Sequence, residues 1–321
     1  MTLCLSEADI RALLPMSDLI TAMEGALAAF SAGRVVQPVR PVVEMGDSAF
    51  FAAMPGFVRD PAVLGAKLVA VIGANQARGL PTHQASILLL DPETGALLAL
   101  MDGRLITEMR TAAVSAVSAK YMARPDAAVL AILGSGVQAR SHLAAFRLLR
   151  AFTEVRVWSP TPDHVRRFAA ESPVPVRPCQ NARDAVWEAD IVVLATASST
   201  PVIEDSWVKP GSHVVSVGAC RPNQREMDPA LVARARLVVD SRASAFQESG
   251  DIVLGIREGQ FAESHVVAEL GEVVPGAVPG RTSDSQITVF KSLGLAVEDL
   301  VAAHLAYQRA RPEAGYRYCN L

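Results

Sequence analysis

Residues 127–146 read AAVLAILGSGVQARSHLAAF, and this stretch decides the fold. An apolar run ends at Gly134, a second glycine follows at Gly136, and a segment with helical spacing continues to Phe146. Glycines at such a turn let the backbone approach a pyrophosphate, and the helix N-terminus offers free N–H groups and partial positive charge. Because Ala139 stands where the fingerprint has its third glycine, the stretch alone also fits a plain strand-to-helix turn.

The chain that follows favours nucleotide binding. Apolar strands alternate with helical segments, and the predicted strands are 129–133, 155–158, 174–177, 191–195, 214–217 and 237–239. Such alternation is typical of a doubly wound parallel sheet with helices on both faces. The sequence therefore predicts a Rossmann-type domain whose first βαβ unit carries the glycine turn.

The chain before this domain has a different pattern. Ser6 with Asp9 resembles a capping box, and helical spacing over 10–14 and 19–30 predicts that two helices open the chain. Strand-like stretches follow at 49–53, 66–72, 85–90 and 96–101, and turn residues separate the last two, which predicts antiparallel hairpins. Helical segments are expected at 107–122 and 286–307, the last returning to the first domain.

Composition limits the possible partners. The 321 residues are 50% hydrophobic and 20% charged, which is typical of a globular protein with a substantial core. The net charge is −3 and no basic tract occurs, so neither nucleic acid nor a membrane surface is expected as a partner. Without an export signal or a run of roughly 20 apolar residues, a cytoplasmic location is expected. The cysteines are Cys4, Cys179, Cys220 and Cys319, and their spacing indicates neither a disulfide framework nor a metal site.

The end of the second predicted strand bears on the choice of cofactor. A carboxylate for the ribose hydroxyls is expected there, but Ser159 and Thr161 stand on either side of a proline instead. Hydroxyl groups tolerate a 2′-phosphate, although the usual arginine is missing, and Arg166 and Arg167 better fit a solvated helix face. The sequence therefore predicts NADH or NADPH, with a lean towards NADPH.

Three cations and one histidine are candidate site residues. Lys67 lies in the apolar strand 65–71, where a charge is costly unless it is paired, functional or able to reach water. Arg110 and Arg40 carry forked guanidinium groups that match carboxylates, although each also fits a structural ion pair. His83 could donate a proton or serve as a structural hydrogen-bonding group. Metal hydrolysis and acyl transfer have no motif in the sequence.

Short motifs run through the whole chain in one order. They are QPVR (37–40), Lys67, PTHQ (81–84), LLDPETG (89–95), MDG (101–103), RTAA (110–113), GSGVQA (134–139), ESGD (248–251) and FKSLG (290–294). In this combination the chain resembles the ornithine cyclodeaminase/mu-crystallin family. The resemblance implies a Rossmann domain, residues 123–296, inserted into an α+β substrate and dimerisation domain, residues 1–122 plus 297–321. It also implies a homodimer and hydride transfer at a carbon that bears nitrogen and a carboxylate.

The resemblance assigns roles to individual residues. Arg40, Lys67 and Arg110 are the implied catalytic groups on the substrate carboxylate, and His83, Cys220 and Arg221 complete the implied substrate site. The implied cofactor residues are Thr111, Gly134, Ser135, Gly136, Val137, Gln138, Ser159, Thr161, Thr196, Val217, Gly218, Lys291 and Ser292.

One position separates the activities of the family. In the family that the chain resembles, the members that release or take up ammonia have an aspartate at the turn that here reads VGACRP (217–222). Cys220 stands in place of that acid. A thiol, with an unperturbed pKa near 8.5, is a poorer proton acceptor. Ketimine reductases of the family also lack the acid and carry an arginine beside it, as Arg221 does here.

The hypothesis is therefore an NAD(P)H-dependent reductase of a preformed imino acid, giving an L-amino acid. Pyrroline-2-carboxylate and piperideine-2-carboxylate are candidate substrates, as is iminosuccinate, whose second carboxylate Arg221 could take. Ornithine cyclodeaminase and alanine dehydrogenase-like activities remain open, as does a non-catalytic binding protein of the mu-crystallin type. The clustered cations speak against the last.

Overall fold

The computed structural model describes residues 1–46, 49–310 and 315–319. Up to the long third helix the elements are β1 (Thr2–Leu5), α1 (Glu7–Leu13), α2 (Met16–Ser31), β2 (Val35–Val36), β3 (Val42–Glu44), β4 (Ala49–Arg59), β5 (Ala62–Ile72), β6 (His83–Leu90), β7 (Leu97–Asp102) and α3 (Gly103–Met122). The later elements are β8 (Val129–Leu133), α4 (Val137–Leu149), β9 (Glu154–Trp158), α5 (Pro162–Glu171), β10 (Arg177–Pro178), α6 (Ala182–Val186), β11 (Ile191–Leu194), β12 (His213–Ser216), α7 (Pro229–Arg234), β13 (Arg236–Val239), α8 (Arg242–Glu248), α9 (Gly250–Arg257), β14 (Val266–Glu269), α10 (Leu270–Val273), β15 (Thr288–Lys291), α11 (Ala296–Arg309) and β16 (Arg317–Cys319).

The chain forms two compact units. The first comprises Met1–Arg110 and Leu295–Leu321, and the second comprises Thr111–Gly294. The predicted boundaries lay at 122/123 and 296/297. The units instead divide at 110/111, which lies inside α3, and at 294/295. The reason is that the second half of α3 packs in the second unit: Ser115 Oγ lies 2.9 Å from His142 Nε2, and Ser118 Oγ lies 3.1 Å from His213 Nε2. An apolar periodicity identifies a helix without naming its partners.

The first unit is a mixed sheet covered by helices. Its strand order is β16-β1-β7-β6-β5-β4-β2, and β3 pairs with β4. The hairpins from β3 to β7 are antiparallel, as predicted, while β1 runs parallel to β7. The prediction that helices open the chain is wrong, because β1 precedes them and is too short to show a period. Helix α11 packs on β4, β5, β6 and α2, which places the C-terminal helix in this unit.

The first two helices, predicted over 10–14 and 19–30, begin three residues earlier, at Glu7 and Met16, and end within one residue of the prediction. Ser6 and Asp9 form the expected capping box, in which the Asp9 N–H donates to Ser6 Oγ (3.4 Å) and the Ser6 N–H donates to Asp9 Oδ2 (2.8 Å). Helix α2 ends at Ser31, just before Gly33, which adopts φ +70°. Glycine adopts this left-handed conformation without steric cost, so it ends a helix well.

The second unit is a parallel doubly wound sheet, and the predicted fold class is confirmed. Its strand order is β10-β9-β8-β11-β12-β15-β13-β14, and every pairing is parallel. The strand after the glycine turn, β9, lies on one side of β8 and the next long strand, β11, on the other. Open α/β sheets bind ligands at this reversal, beyond the carboxyl ends of the strands.

The predicted helix over 286–307 is wrong in its first part. Residues 288–291 form β15, which lies between β12 and β13, and α11 begins only at Ala296. Val289 and Phe290 are fully buried. A parallel strand buried on both faces is a continuous apolar run, which periodicity alone does not separate from a helix. Gly294, with φ +82°, lies between the two elements.

In residues 1–46, 49–310 and 315–319, no single helix is long and apolar enough to cross a membrane. Only α1 and α2 taken together reach that length and apolar character, and they are bent by 85°. The same ranges contain no group of three or more His, Cys, Asp or Glu placed to hold a metal ion. The cysteines are free, and pairing of β1 with β16 brings the sulfur atoms of Cys4 and Cys319 to 2.9 Å.

Candidate active site

The glycine turn of the second unit forms an open cradle at the N-terminus of α4. Gly134 has φ +124°, and a Cβ at this position would lie 2.4 Å from the carbonyl oxygen of Ala195, so only glycine fits. Gly136 is the N-cap of α4, and a Cβ there would meet nothing within 4 Å. The space before the first N–H groups of α4 is therefore open, which fits the pyrophosphate of a dinucleotide.

Ser135, Ser159 and Thr161, three of the predicted cofactor residues, lie together beside this cradle. The hydroxyl of Ser135 donates to Ser159 Oγ (3.1 Å), and the Thr161 N–H donates to the same oxygen (3.3 Å). Ser159 is buried at the end of β9, where a ribose-binding carboxylate is expected in NAD-specific proteins. Arg166 pairs with Asp163 on its own helix.

Two further cofactor candidates lie in the first turn of α4. The side chain of Val137 is 56% exposed, which is high for an apolar residue at a helix N-terminus. The backbone oxygen of Gln138 lies 2.7 Å from His142 Nδ1, and its buried Oε1 has no hydrogen-bond partner among the described residues. An exposed apolar surface and an unsatisfied buried acceptor both fit a site that binds a ligand.

A buried carboxylate that the sequence analysis missed organises the turn after β12. Glu226 accepts hydrogen bonds from the N–H and hydroxyl of Thr196 (2.8 and 2.7 Å) and from the N–H groups of Gly218 (2.7 Å) and Ala219 (3.2 Å). It also accepts from Ser216 Oγ at 3.0 Å. Gly218 is required in this packing, because a Cβ would lie 1.9 Å from the Thr196 carbonyl oxygen. Thr196 and Gly218, both expected at the cofactor, are thus bound through one carboxylate.

Lys291 also holds the turn after β12, through hydrogen bonds to Ala219 and Ser216. Its side chain is 0% exposed, and Nζ donates to the Ala219 carbonyl oxygen (2.6 Å) and Ser216 Oγ (3.0 Å) and pairs with Asp251 Oδ2 (3.1 Å). Burial opposes the charge, but Asp251 and then Cys220 raise the pKa of Lys291 above its ordinary value. The resemblance implies a cofactor contact for Lys291; the structure instead encloses its ammonium in protein groups.

The other candidates near this turn, Ser292, Cys220 and Arg221, also make hydrogen bonds within the protein. Ser292 is buried, and its hydroxyl donates to Asp240 Oδ2 (3.2 Å), so it too is engaged by protein. The thiol of Cys220 donates to the Val217 carbonyl oxygen (3.3 Å) within the turn. The carbonyl oxygen of Arg221 accepts from the Gly250 N–H (3.1 Å), and Thr111 is buried at the start of the second unit.

A second cluster of buried charges lies in the first unit and contains two of the predicted catalytic cations. Lys67 Nζ lies 2.6 Å from Asp299 Oδ2, and Arg110 Nε lies 2.9 Å from Asp299 Oδ1. Arg110 Nη1 also lies 2.5 Å from Glu298 Oε2. The four side chains are at most 4% exposed and come from β5, α3 and α11. We name them the unit-1 charge cluster.

The cluster shifts the ionisation of its members. Burial lowers the pKa of Lys67 to about 8; the attraction of Asp299 opposes this shift, and Arg110 and Arg40 add to it. Although burial works in the other direction, Arg110 and then Lys67 lower the pKa of Asp299. A lysine that exchanges its proton near neutral pH is suited to general acid–base catalysis.

His83 and Arg40 lie near the cluster. His83 begins β6 opposite Val71, and burial, followed by the charges of Lys67 and Arg110, lowers its pKa to about 4. It is therefore a neutral imidazole at pH 7, so the prediction that it might donate a proton applies only to the neutral ring. Arg40 lies between β2 and β3, partly exposed and close enough to lower the pKa of Lys67.

The sequence analysis missed Glu298 and Asp299. Both stand in the first turn of α11, where periodicity predicts only core packing, and both are fully buried. A signal was present: two adjacent carboxylates interrupt an otherwise apolar helical stretch, AVEDLVAAHLA (296–306). Buried carboxylates are rare unless they are paired, so such a pair predicts buried cations elsewhere.

Comparison with known proteins identifies sequence relatives along the whole chain. The model of the ornithine cyclodeaminase/mu-crystallin family matches residues 1–314. Ketimine reductase mu-crystallin of Rattus norvegicus is 45% identical over 293 residues, which are 90% of this chain and 91% of the relative. Delta(1)-pyrroline-2-carboxylate reductase of Bacillus cereus is 37% identical over 314 residues, 96% of each chain.

Solved structures of related proteins have the same fold as this chain. Thermococcus litoralis Delta(1)-pyrroline-2-carboxylate reductase, in complex with NADH and L-proline, has a TM-score of 0.96 at 38% identity, covering 99% of this chain and 100% of the other. An archaeal alanine dehydrogenase dimer with bound NAD has a TM-score of 0.93 at 31% identity, covering 98% of each chain. The iminosuccinate reductase of Paracoccus denitrificans with NAD+ has a TM-score of 0.90 at 31% identity, covering 100% and 99%. These matches confirm the resemblance found in the motifs, and the chain belongs to the ornithine cyclodeaminase/mu-crystallin family.

Proposed function

We propose that this protein is an oxidoreductase that reduces a preformed imino acid to an L-amino acid with NADH or NADPH. The observation that carries the proposal is Lys67, a buried ammonium with a pKa of about 8 beside the Arg110 guanidinium. A substrate whose C=N bond adjoins a carboxylate needs both a cationic clamp and a proton. The relatives named as ketimine, pyrroline-2-carboxylate and iminosuccinate reductases act on substrates of this kind.

The arginines hold the carboxylate in this proposal. A guanidinium has five N–H donors in a fixed plane, so the two ion pairs of Arg110 leave donors for a substrate. Arg40 adds a second cation near Lys67. Binding the carboxylate fixes the imine carbon and nitrogen, which removes much of the entropic cost of bringing the reactants together.

Lys67 supplies the proton. Reduction of C=N adds a hydride to carbon and a proton to nitrogen. The ammonium of Lys67 gives this proton and becomes a neutral amine, which then takes up a proton from water. A nicotinamide dinucleotide, when bound, supplies the hydride. The residues proposed to hold it are Gly134, Ser135, Gly136, Val137 and Gln138 at the cradle and Ser159 and Thr161 beside it.

The choice of dinucleotide follows from the end of β9. Ser159 and Thr161 put no negative charge where a 2′-phosphate lies, which supports use of NADPH. The solved relatives contain NADH, NAD or NAD+, which supports use of the unphosphorylated form. We propose that both bind, with NADPH preferred.

Cys220 favours imine reduction over the ammonia-releasing reactions of the family. Its thiol donates to Val217 inside the turn, and a thiol is a weak proton acceptor at neutral pH. Arg221, next to it, keeps iminosuccinate among the candidate substrates beside the cyclic imines.

The test is nicotinamide absorbance with the purified protein. NADH and NADPH are compared with pyrroline-2-carboxylate, piperideine-2-carboxylate and iminosuccinate generated in place. Rapid oxidation with any of the three is the expected result, and the ratio of the two rates decides the cofactor. Ammonia from ornithine without imine reduction would instead identify a cyclodeaminase, and nucleotide binding without turnover would identify a binding protein.

A homodimer is proposed on a separate observation in the first unit. On β4 to β7, the side chains opposite to Lys67 form an apolar sheet face that is partly exposed, with Phe51 at 36%. Its larger members are Phe51, Phe57, Leu64, Leu68, Leu88 and Leu100. Exposed apolar side chains grouped on one face are typical of an interface, and a two-fold dimer would pair this face with its own copy.

Light scattering tests the dimer. Leu68→Glu is expected to yield a monomer, because a carboxylate in the middle of the apolar sheet face is costly to desolvate. Leu148→Glu is the matched control, since Leu148 is 55% exposed on α4 of the second unit and its substitution should leave the mass unchanged. A monomeric wild-type protein would exclude the proposal.

A further inference from the structure

One carboxylate, Asp299, contacts two of the three predicted catalytic cations of the first unit, Lys67 and Arg110. Its Oδ2 pairs with Lys67 and its Oδ1 with Arg110, so its two oxygens bridge β5 and α3. Glu298, the preceding residue, also contacts Arg110. The two adjacent acids therefore differ in a useful way: both bind the guanidinium, but among the described residues it is Asp299 that pairs with the ammonium.

Two glycines bring this carboxylate to the sheet. A Cβ at Gly65, two residues before Lys67, would lie 2.2 Å from the Leu88 carbonyl oxygen and 2.9 Å from Leu300 Cδ2. A Cβ at Gly56 on the neighbouring strand would lie 3.1 Å from Leu300 Cδ1. Without side chains at these positions, the first turn of α11 rests on the backbone of the sheet, and Asp299 reaches the buried ammonium.

The groups that act on Lys67 are mostly cationic. Arg110 approaches from α3, Arg40 from the segment between β2 and β3, and the neutral His83 lies on β6. Of the charged groups that dominate the ionisation of Lys67, Asp299 alone raises its pKa. Removing this charge would leave a buried ammonium among cations, and the amine would then lose its proton at a lower pH.

We propose that Asp299 is a positioning residue of the reductase, which keeps Lys67 in its ammonium form and fixes the Arg110 guanidinium beside it. The inference rests on the proposed function, since it assigns the proton donor a partner. Asp299 itself touches neither substrate nor cofactor in this scheme; it acts through Lys67. Glu298 orients Arg110.

Lysine NMR tests this inference without any turnover. The chain has only four lysines, Lys67, Lys120, Lys209 and Lys291, so ¹³Cε-labelled lysine gives few signals, and Lys67→Met assigns the relevant one. The wild-type Lys67 signal is expected to titrate near pH 8. In Asp299→Asn it should titrate lower by about one pH unit or more, because an adjacent opposite charge shifts a pKa by about that amount.

Glu298→Gln is the matched control. It also removes a buried carboxylate from Arg110, but it leaves the pair of Lys67 with Asp299 intact, so the Lys67 titration should move by less than half the Asp299→Asn shift. Asp299→Glu keeps the charge and is expected to titrate between the wild type and Asp299→Asn. It also serves as the readout if Asp299→Asn does not fold, since a merely structural role predicts no shift in this variant.

Kinetics complete the test. In Asp299→Asn the basic limb of the kcat/KM profile for the imine should move to lower pH together with the NMR titration. An unshifted Lys67 titration in folded Asp299→Asn, or an equal shift in Glu298→Gln, overturns the positioning role. A wild-type protein that reduces no imine overturns the proposed function instead, so the two failures are distinguishable.

Discussion

Lys67 and Lys291 are two equally buried lysines with opposite surroundings. Lys291 lies in the second unit between the Ser216 hydroxyl, the Ala219 carbonyl oxygen and the Asp251 carboxylate, and its pKa is raised. Lys67 lies in the first unit against one carboxylate and near two guanidinium groups, and its pKa is lowered to about 8. Burial alone therefore does not distinguish a structural lysine from a reactive one.

The partners make the distinction. An ammonium that is enclosed by acceptors keeps its proton and holds the backbone around it. An ammonium that has one carboxylate and two guanidinium groups nearby gives up its proton near neutral pH, where catalysis needs it, because burial and then the cations oppose its charge. We therefore propose that Lys67 serves the chemistry and that Lys291 holds the shape of the turn at 217–220, and the following predictions separate the two roles.

The largest expected effect is that of Lys67→Met on turnover. Methionine fills the buried space but has no ionisable group that could donate a proton. Imine reduction should therefore fall by about 10²–10⁴-fold, the usual contribution of a general acid. Affinity for NADH or NADPH, measured by fluorescence, should stay within a few-fold because the nucleotide cradle lies in the other unit. Turnover near the wild-type rate would remove Lys67 from the mechanism.

Lys291→Met should act on stability. The substitution leaves Asp251 as a buried charge without its ammonium, which costs about 3–5 kcal/mol in comparable pairs. Denaturant unfolding monitored by circular dichroism measures the loss. Lys67→Met is the control in the same assay and should lose less, because Asp299 keeps its bond to Arg110. Equal losses would contradict the assigned roles.

The pH dependence of the wild-type enzyme should show Lys67 and no other group of the cluster. The proton donor is the ammonium form, which predominates below the pKa of about 8, so kcat/KM for the imine should fall as pH rises through that value. The decline approaches about tenfold per pH unit above it. His83, with a pKa of about 4, stays neutral between pH 6 and 10 and adds no limb. A flat profile through pH 9.5 would exclude Lys67 as the titrating donor.

The smallest expected effect is that of Cys220→Ala. The thiol donates a weak hydrogen bond to Val217, so its loss should change kcat/KM by no more than about tenfold, the upper equivalent of such a bond. The control is Gly218→Ala, which places a Cβ against the Thr196 carbonyl oxygen and should impair the turn severely. A loss well above tenfold in Cys220→Ala would give the thiol a chemical role.

The sequence predicted those features that depend on local pattern. The glycine turn at Gly134, the Ser6 capping box and the antiparallel hairpins each need only a few neighbouring residues, and the structure contains them. The error at 288–291 has a local cause too, because a strand buried on both faces has no alternation to recognise.

The missed groups depend on contacts between distant parts of the chain. Asp299 meets Arg110 across 189 residues, and no periodicity in α11 indicates which strand lies against its first turn. The role of Glu226 likewise could not be predicted, because its four donor residues come together only when β11 and β12 pair in the folded sheet. The cations of such clusters could be found as isolated charges in apolar sequence, whereas their pairing could not.

The division of the first unit between the two ends of the chain also sets an order in time. Between the synthesis of Arg110 and that of Asp299 a ribosome adds 189 residues, which takes about 10–40 s at ordinary rates. During that interval the whole second unit has been made, yet Lys67 and Arg110 still lack their carboxylate. The nascent chain therefore completes the unit that carries the glycine turn well before the buried cations of the first unit meet their carboxylates.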